Sequence, residues 1–229
     1  MVRHDSQQEG VHDFHTHTFL SDGELSPVEL IRRAMMRGYK SIAIADHAGP
    51  GTMEQAIAAA VRDCALARQH WGIQALPGVE LTHLPPAAIA EAAAAARKLG
   101  ARIIVVHGES PVEPVEEGTN LAAVQCPEVD ILAHPGCLSA EVAALAAANG
   151  IFLEITARQG HCLCNGLVAR VAQQTGARLL VNSDTHEPKD LLTPEMAEKV
   201  ALGAGLSADE ARVVLQENPR RLLERAEAR

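Results

Sequence analysis

The residues of this 229-residue chain that are best suited to chemistry are histidines and carboxylates that follow short apolar segments. Six of its eleven histidines stand at such positions, as do Glu80, Asp184 and, a few residues beyond the first segment, Asp22. Imidazole nitrogen and carboxylate oxygen without thiolate sulfur form a ligand set that suits Zn, Mn or Fe. The pattern therefore predicts a site for several divalent metal ions. The six histidines are His15, His17, His47, His107, His134 and His186.

Short β-branched segments alternate with long alanine-rich amphipathic segments, as in repeated βα units. Seven units are counted, and the short connections between them favour one domain over residues 1–229 with an α/β barrel fold. The C-terminal ends of the strands in such a barrel face one mouth, so the candidate ligands would converge there. Because side chains alternate along a strand, His15 and His17 would point the same way and His12 to the opposite face. The predicted strands are residues 11–15, 41–46, 74–79, 102–106, 131–133, 151–155 and 178–182.

Capping residues predict where several helices begin and end. Ser26 followed by proline is typical of a helix start, and Gly38 is typical of the end of that helix. The Asn-Pro pair at 218–219 predicts a break or kink in the last helical segment. Residues 1–10 are polar and predict a flexible N-terminus. Further helices are predicted over 87–99, between Ser139 and Gly150, over 194–202 and, as a C-terminal helix, within 207–229.

The charge of the chain argues against an extended nucleic-acid-binding surface. The formal net charge is -9 and the pI about 5.6, whereas binding a polyanion over a broad surface needs clustered Lys and Arg. Aromatic residues make up only 2% of the chain and offer few platforms for base stacking. No segment approaches the roughly 18 apolar residues of a membrane span, and the polar N-terminus contains no apolar signal segment. We therefore expect a soluble, cytoplasmic protein that acts on a small molecule, with a homo-oligomer as an open alternative.

The five cysteines are scattered and odd in number, which fits reduced thiols better than a disulfide framework. Cys162 and Cys164 lie beside His161, so a separate soft-metal site is one alternative there. A loop with incidental thiols is the favoured interpretation, and the main metal prediction excludes cysteine.

The chain contains five groups of motif residues within residues 13–186: His15-Thr16-His17 with Ser21-Asp22-Gly23, Ile44-Ala45-Asp46-His47, Gly78-Val79-Glu80, His134-Pro135-Gly136 and Ser183-Asp184-Thr185-His186. With these motifs the chain resembles the polymerase and histidinol phosphatase (PHP) superfamily, in particular its small histidinol-phosphatase-like members. The resemblance implies a distorted (β/α)7 barrel of the PHP type, in agreement with the seven units counted from periodicity.

The same resemblance implies nine ligand residues for two or three divalent ions, Zn, Mn or Fe. Glu80 would bridge the first ion and the second. His83, three residues after Glu80, is an alternative to His107, which is favoured because it ends a cleaner strand. Asp22 stands where many relatives carry histidine, so the third site is open in identity and occupancy. The implied ligands are His15, His17, Glu80 and Asp184 for the first ion, Glu80, His107 and His134 for the second, and Asp22, His47 and His186 for the third.

Such a cluster is suited to hydrolysis of a phosphate ester. Two cations that share a water lower its pKa from about 16 towards 7 and present a bridging hydroxide to phosphorus. Glu80 would fix their spacing, and Asp184 or His186 could pass a proton to the departing alkoxide. Arg158, just beyond the sixth strand, is predicted to bind the phosphate through two parallel hydrogen bonds. Glu154 is expected to hold a ligand histidine or Arg158 in place.

We expect a metal-dependent phosphatase that hydrolyses a small phosphorylated metabolite and releases phosphate, with a histidinol-phosphate-like substrate implied by the resemblance. A nucleotide phosphatase or exonuclease-type phosphoesterase is one alternative, and amide hydrolysis in a related metal barrel is another. A non-catalytic, metal-bearing regulatory module is the alternative from a different class. All nine implied ligand positions are filled, whereas a decayed module should have lost several of them.

Overall fold

The computed structural model describes residues 10–229, in which parallel strands form one curved sheet. Its strands are β1 (Val11–Asp13), β2 (Tyr39–Ile44), β3 (His47–Ala48), β4 (Gln74–Leu81), β5 (Ile103–His107), β6 (Ile131–Ala133), β7 (Phe152–Thr156) and β8 (Leu179–Asn182). They neighbour one another in chain order, except that the two-residue β3 pairs only with β4. A parallel bridge between Thr16 and Thr185 joins the segments after β1 and β8. The described residues thus form a nearly closed barrel of seven principal strands, which confirms the predicted α/β barrel.

Helices connect the strands and cover the outside of the barrel. The α-helices are α1 (Pro27–Met36), α2 (Met53–Trp71), α3 (Ile89–Leu99), α4 (Thr119–Gln125), α5 (Ala140–Asn149), α6 (Asn165–Thr175), α7 (Pro194–Gly203), α8 (Ala208–Arg212) and α9 (Asn218–Glu227). Short 3-10 helices span Pro86–Ala88, His161–Cys164 and Pro188–Asp190. Within residues 10–229, no helix has both the length and the apolar character needed to cross a membrane.

The predicted caps form the ends of these helices. Ser26 Oγ accepts a hydrogen bond from Glu29 N at 3.3 Å at the start of α1, and Ser139 Oγ accepts one from Val142 N at 3.2 Å at the start of α5. A glycine in the left-handed conformation follows α5, where Gly150 has a φ of 69°. Local sequence therefore sets the length of each helix and, through it, the position of the next strand.

Apolar side chains fill the barrel interior, and α9 closes its N-terminal end. Phe14, Ile103 and Phe152 are almost wholly buried there and belong to one cluster with Leu222 and Leu223 of α9. Ile103 and Phe152 are the first residues of their strands, so α9 lies across the strand starts. The interior is thus a packed core, and the opposite end, where the strands finish, is left for polar residues.

Most strand boundaries differ from the sequence prediction by one or two residues, and the C-terminal helical segment is interrupted earlier than predicted. The strand predicted over 41–46 ends at Ile44, because Ala45 N donates to Thr16 O at 2.9 Å instead of continuing the ladder. A π-helical turn (Val213–Glu217) precedes α9, one turn before the break predicted at 218–219, and Asn218 N donates to Val213 O. Pro219 has no backbone N–H to donate to the preceding turn of helix, and the wider π-helical turn accommodates this missing hydrogen bond. The flexible N-terminus predicted for residues 1–10 lies outside the described residues except for Gly10.

Candidate metal centre

The residues predicted for the first ion meet at the C-terminal mouth of the barrel. His15 Nε2 lies 3.2 Å from Glu80 Oε1, and His17 Nε2 lies 3.1 Å from Asp184 Oδ1. His15 Nε2 is also 3.9 Å from Asp184 Oδ1, and His17 Nε2 is 3.8 Å from Glu80 Oε2. All four residues are buried, so two imidazoles and two carboxylates face one small volume.

The residues predicted for the third ion also come together, at the outer edge of the cluster. Asp22 Oδ1 lies 3.2 Å from His186 Nε2 and 3.6 Å from His47 Nε2, and the Asp22 side chain is 57% exposed. The rings of His17 and His47 stack with their centroids 4.1 Å apart, which joins this group to the first. Ligand atoms from His17, Asp22, His47 and His186 all lie within 4.8 Å of one another.

The residues predicted for the second ion also lie beside one another, together with a histidine that the prediction did not include. His134 Nε2 is 3.7 Å from Glu80 Oε1, and the His107 and His134 rings lie 4.5 Å apart. The third close member of this group is His161, whose ligand nitrogen lies within 4.8 Å of those of His107 and His134. His83, the alternative to His107, is 42% exposed in its side chain and its Nε2 faces Glu113 at 3.1 Å. His107 is thus buried in the cluster and His83 lies at its rim.

Glu154, at the centre of β7, orients two of the candidate ligands. Its Oε2 contacts His15 Nδ1 at 2.8 Å and accepts a hydrogen bond from Asn182 Nδ2 at 2.8 Å, while its Oε1 accepts one from His134 N at 3.3 Å. A carboxylate on Nδ1 fixes the ring and leaves Nε2 of His15 for a metal. Of the two roles expected for Glu154, the structure shows the one toward a histidine.

Asp46 holds the loop that carries Asp22. Its carboxylate accepts hydrogen bonds from Thr18 N at 2.6 Å, Thr18 Oγ1 at 2.7 Å and Ser21 Oγ at 2.7 Å. The loop then turns back at Gly23, where an added Cβ would lie 2.5 Å from His17 O. The Ser-Asp-Gly motif is therefore a packing requirement that brings Asp22 over the mouth.

The backbone is strained at the centre of the cluster. His134 and Asp184 have φ values of 25° and 54°, and His83 has one of 53°. Among the described residues no other non-glycine position has a positive φ. Each costs of the order of 1–3 kcal/mol, so the surrounding structure must hold it in place. Strain that gathers in three residues of one cluster marks this end of the barrel as a functional site.

Carboxylates and imidazoles shift one another's pKa values. Burial disfavours the imidazolium form, but the carboxylates around His15, Glu154 foremost, raise its pKa well above the usual value. Burial and neighbouring imidazoles lower the pKa of His17 and that of His134 well below the usual value. Burial opposes ionisation of Glu80, but the histidines around it, His15 foremost, lower its pKa well below the usual value. The shifts of His17, His134 and Glu80 favour neutral imidazoles beside an ionised carboxylate, which metal binding requires, whereas a metal ion at His15 would have to displace a proton.

Several buried ligand atoms of the cluster lack a hydrogen-bond partner. They include His15 Nε2, both ring nitrogens of His17, Glu80 Oε1 and Asp184 Oδ1. An unpaired buried polar atom costs about 1–3 kcal/mol. These atoms approach one another within about the span of a shared cation, so divalent metal ions fit the donor set and would complete it. Nitrogen and carboxylate donors without sulfur agree with the predicted Zn, Mn or Fe.

Arg158, the predicted phosphate ligand, lies beside the cluster rather than in it. Its Nη1 is 3.4 Å from Asp190 Oδ2, and its side chain is 32% exposed. Asp190 Oδ2 also accepts hydrogen bonds from His186 N at 3.1 Å and Glu187 N at 2.9 Å. Arg158 and Lys189 line a surface pocket of about 390 Å³ that also contacts Ser183, the residue before Asp184.

Two residues that the sequence did not assign as ligands lie in the cluster. His161, which the sequence offered as a ligand only in an alternative soft-metal site beside Cys162 and Cys164, is buried beside His134 with ring centroids 4.3 Å apart. Glu113 contacts three histidines, although nothing in its loop sequence distinguishes it from Glu116 and Glu117. Cys164 does not join His161 in a metal-binding group within residues 10–229, and its Sγ lies 3.7 Å from Cys137 Sγ.

Comparisons with known proteins identify a family, sequence relatives and a structure with a similar fold. A family model described as PHP domain matches residues 13–163. An uncharacterized protein of Methanocaldococcus jannaschii is 48% identical over 93% of this chain and 98% of its own length. A protein of Thermoanaerobacter sp. named probable phosphatase is 29% identical over 86% of this chain and 87% of its own length. The crystal structure of Lactococcus lactis histidinol phosphate phosphatase with Zn, L-histidinol and phosphate superposes with a TM-score of 0.60 at 14% identity, over 86% of this chain and 95% of that chain.

Proposed function

This chain belongs to the PHP domain family, and from that premise we propose that it is a metal-dependent phosphatase of small phosphomonoesters. The observation that carries the proposal is the set of buried imidazole and carboxylate atoms at the mouth that have no hydrogen-bond partner. A group of this kind is costly to the fold unless cations complete it. The names of the Thermoanaerobacter relative and the Lactococcus neighbour support phosphate ester chemistry.

In this proposal the nine residues implied by the resemblance hold two or three ions, with Glu80 between the first and the second. When bound, such ions supply an acidified water and neutralise charge on the phosphoryl oxygens. The histidines around Glu80 lower its pKa and favour its ionised form, and Glu154 keeps His15 Nε2 turned toward it. The charges of the carboxylates therefore determine how many cations the mouth retains.

The leaving alkoxide needs a proton at the mouth. In an enzyme that holds two ions, His186 is free to supply it from Nε2, which lies 3.2 Å from Asp22 Oδ1 near the opening. Burial disfavours the imidazolium form of His186, but Asp22 and Asp184 raise its pKa, so this ring holds its proton more tightly than a free imidazole does. Occupation of a third site would take His186 as a ligand, and Asp184 would be the remaining donor.

Arg158 is the proposed phosphate contact. Its ion pair with Asp190 at 3.4 Å leaves several guanidinium donors free to face the pocket beside Ser183. Asp190 is fixed in turn by the backbone after Asp184, so the arginine is held at a set position relative to the metal ligands. A small phosphomonoester fits this arrangement, and histidinol phosphate is one member of that class.

The test is phosphate release from a panel of phosphomonoesters that includes histidinol phosphate and nucleoside monophosphates. We expect metal-loaded wild-type protein to turn over at least one ester, and Asp184→Asn to reduce the rate by about 10²- to 10³-fold. Asp209→Asn makes the same chemical change on the exposed part of α8 and should not change the rate. If metal-loaded wild type releases phosphate from no ester but hydrolyses amides, the proposal is wrong and an amidohydrolase replaces it.

A further inference from the structure

The loop between β5 and α4 places a carboxylate against the metal cluster. We propose that Glu113, together with His161, completes the coordination of the ion held by His107 and His134. This inference rests on the metal-binding part of the proposed function and adds two ligands that the resemblance does not imply. With these two ligands, the second site would consist of residues from loops as well as residues at strand ends.

Glu113 is surrounded by three imidazoles. Its Oε2 lies 3.1 Å from His83 Nε2 and 3.1 Å from His107 Nε2, and its Oε1 lies 3.3 Å from His161 Nε2. Three convergent ring nitrogens on one carboxylate are more than a surface ion pair requires. Glu113 is 37% exposed in its side chain, so it closes the cluster from the solvent side.

The orientation of His107 places its ligand atom on the side of Glu113. His107 Nδ1 lies 3.2 Å from Gly108 O, and the contact requires that this nitrogen carry the proton. The lone pair is then on Nε2, which is the atom that faces Glu113. The contact between His107 and Glu113 is shorter than the 3.7 Å that separates His134 Nε2 from Glu80 Oε1. A cation bound by His107 therefore lies within reach of Glu113.

His161 is the second added ligand. It is buried, its Nδ1 has no hydrogen-bond partner, and its ligand atom lies within 4.8 Å of those of His107 and His134. A buried ring nitrogen without a partner is unfavourable, and a shared cation would offset that cost. His161 lies in the segment after β7, and none of the nine implied ligands comes from β7 or from that segment.

The loop that carries Glu113 is fixed at its base. Glu109 Oε1 accepts hydrogen bonds from Gly118 N at 3.0 Å and Asn120 N at 2.9 Å, and Glu109 N donates to Asn120 Oδ1 at 3.0 Å. The far side of the loop packs against the loop of His161, because a Cβ added at Gly160 would lie 3.3 Å from Val112 Cγ1. The two added ligands are thus presented by loops that support each other.

The experiment is a calorimetric titration of metal-free protein with Zn²⁺ and with Mn²⁺, followed by the visible spectrum of the Co²⁺-loaded protein. We expect Glu113→Gln to weaken one ion by about 10- to 100-fold and leave the other ions unchanged. His161→Gln should weaken the same ion. Glu116→Gln, the matched change at an exposed position of the same loop, should bind every ion as wild type does. The Co²⁺ spectrum should change in the Glu113 and His161 variants only.

Two results would overturn the inference. One is a Glu113→Gln variant that binds every ion with wild-type affinity and shows the wild-type Co²⁺ spectrum. The other is unchanged metal affinity with tighter binding of inorganic phosphate, because Glu113 would then be an anion that competes with phosphate at the mouth. The titration needs no turnover, so failure to release phosphate would contradict the proposed function alone. A wild-type protein that binds no metal would contradict both.

Discussion

The two ends of the barrel each contain a buried carboxylate, and the two carboxylates have opposite surroundings. At the N-terminal end, Asp130 is 1% exposed and precedes β6. Its Oδ2 accepts a hydrogen bond from Ile104 N at 2.9 Å and pairs with Arg97, while its Oδ1 lies 3.3 Å from Arg225 Nε and 3.1 Å from Arg229 Nη1. The protein itself supplies every partner that this carboxylate needs.

At the mouth, Glu80 is wholly buried among histidines, and its Oε1 has no hydrogen-bond partner. Its neighbours His15 and His17 also have unpartnered ring nitrogens. A buried carboxylate that has all its hydrogen-bond and charge partners costs the fold little, whereas a buried carboxylate that lacks partners is costly unless a bound ion supplies them. The carboxylate at the N-terminal end of the barrel therefore has a structural role, whereas the carboxylate at the mouth is suited to binding a ligand.

The largest expected effect comes from Glu80→Gln. The amide keeps the shape but removes the charge and puts N–H groups toward the histidines, so we expect loss of bound metal and a fall in phosphatase rate of about 10³-fold. Metal analysis and phosphate release on the purified variant would measure both. A Glu80→Gln protein with full metal content would show that the mouth does not depend on its central carboxylate.

Asp130→Asn makes the same chemical change at the other end and should have the opposite outcome. Three arginines would lose their common partner, and one amide N–H would face an arginine, so we expect a loss of about 3 kcal/mol in the free energy of unfolding. Metal content per folded molecule should remain that of wild type. Urea unfolding followed by circular dichroism gives the first quantity. Equal stability of Asp130→Asn and wild type would contradict the structural role of Asp130 at the N-terminal end of the barrel.

Metal removal should affect the two ends unequally. Ions at 100 times their dissociation constant stabilise a protein by about 2.7 kcal/mol for each site that only the folded state forms. We expect the wild type and Asp130→Asn to gain this stability when metal is returned to chelated protein, and Glu80→Gln to gain much less. Thermal unfolding with and without added metal measures the gain. Identical unfolding of wild type in both conditions would exclude a metal centre at the mouth.

His12 offers a smaller effect, away from the mouth. Its side chain lies on the opposite face of β1 from His15 and contacts Ser41 Oγ at 2.7 Å, and burial with nearby Arg220 and Lys40 lowers its pKa from 6.5 to about 4. The unfolded chain therefore binds this proton more readily than the folded one. Its contribution is complete above pH 6.5 and is lost as the pH falls toward 4.

The loss from His12 amounts to about 2 kcal/mol between pH 7 and pH 5. Measuring the free energy of unfolding of metal-free wild type and His12→Asn at both pH values isolates this term by difference. The variant should lose less stability on acidification than wild type. The same pH dependence in both proteins would show that folding does not lower the pKa of His12.

Much of the barrel and of its mouth could be predicted from the sequence. The alternation of strand-like and helix-like patterns indicates the repeated units, and serine and glycine caps indicate the helix ends. Residues that follow parallel strands must lie together at the C-terminal mouth of the barrel. Candidate ligands such as His15 and Glu80 could be placed at the mouth because they lie at or just beyond the C-terminal end of a strand. The β2 boundary was predicted two residues too late, because contacts of Ala45 and Asp46 with the loop after β1 replace the ladder there.

The sequence by itself determined the repeated units and the end of the barrel at which the candidate ligands gather, because both follow from the periodicity of strands and helices. Only the tertiary structure decided that Glu113 contacts His107 and His161, and that Asp190 holds Arg158 beside the cluster. The pairing of Asp130 with arginines of α3, α9 and the C-terminus was decided in the same way. Loop residues are positioned by contacts between segments far apart in the chain. Such contacts have no period, so one sequence cannot distinguish Glu113 from the glutamates next to it.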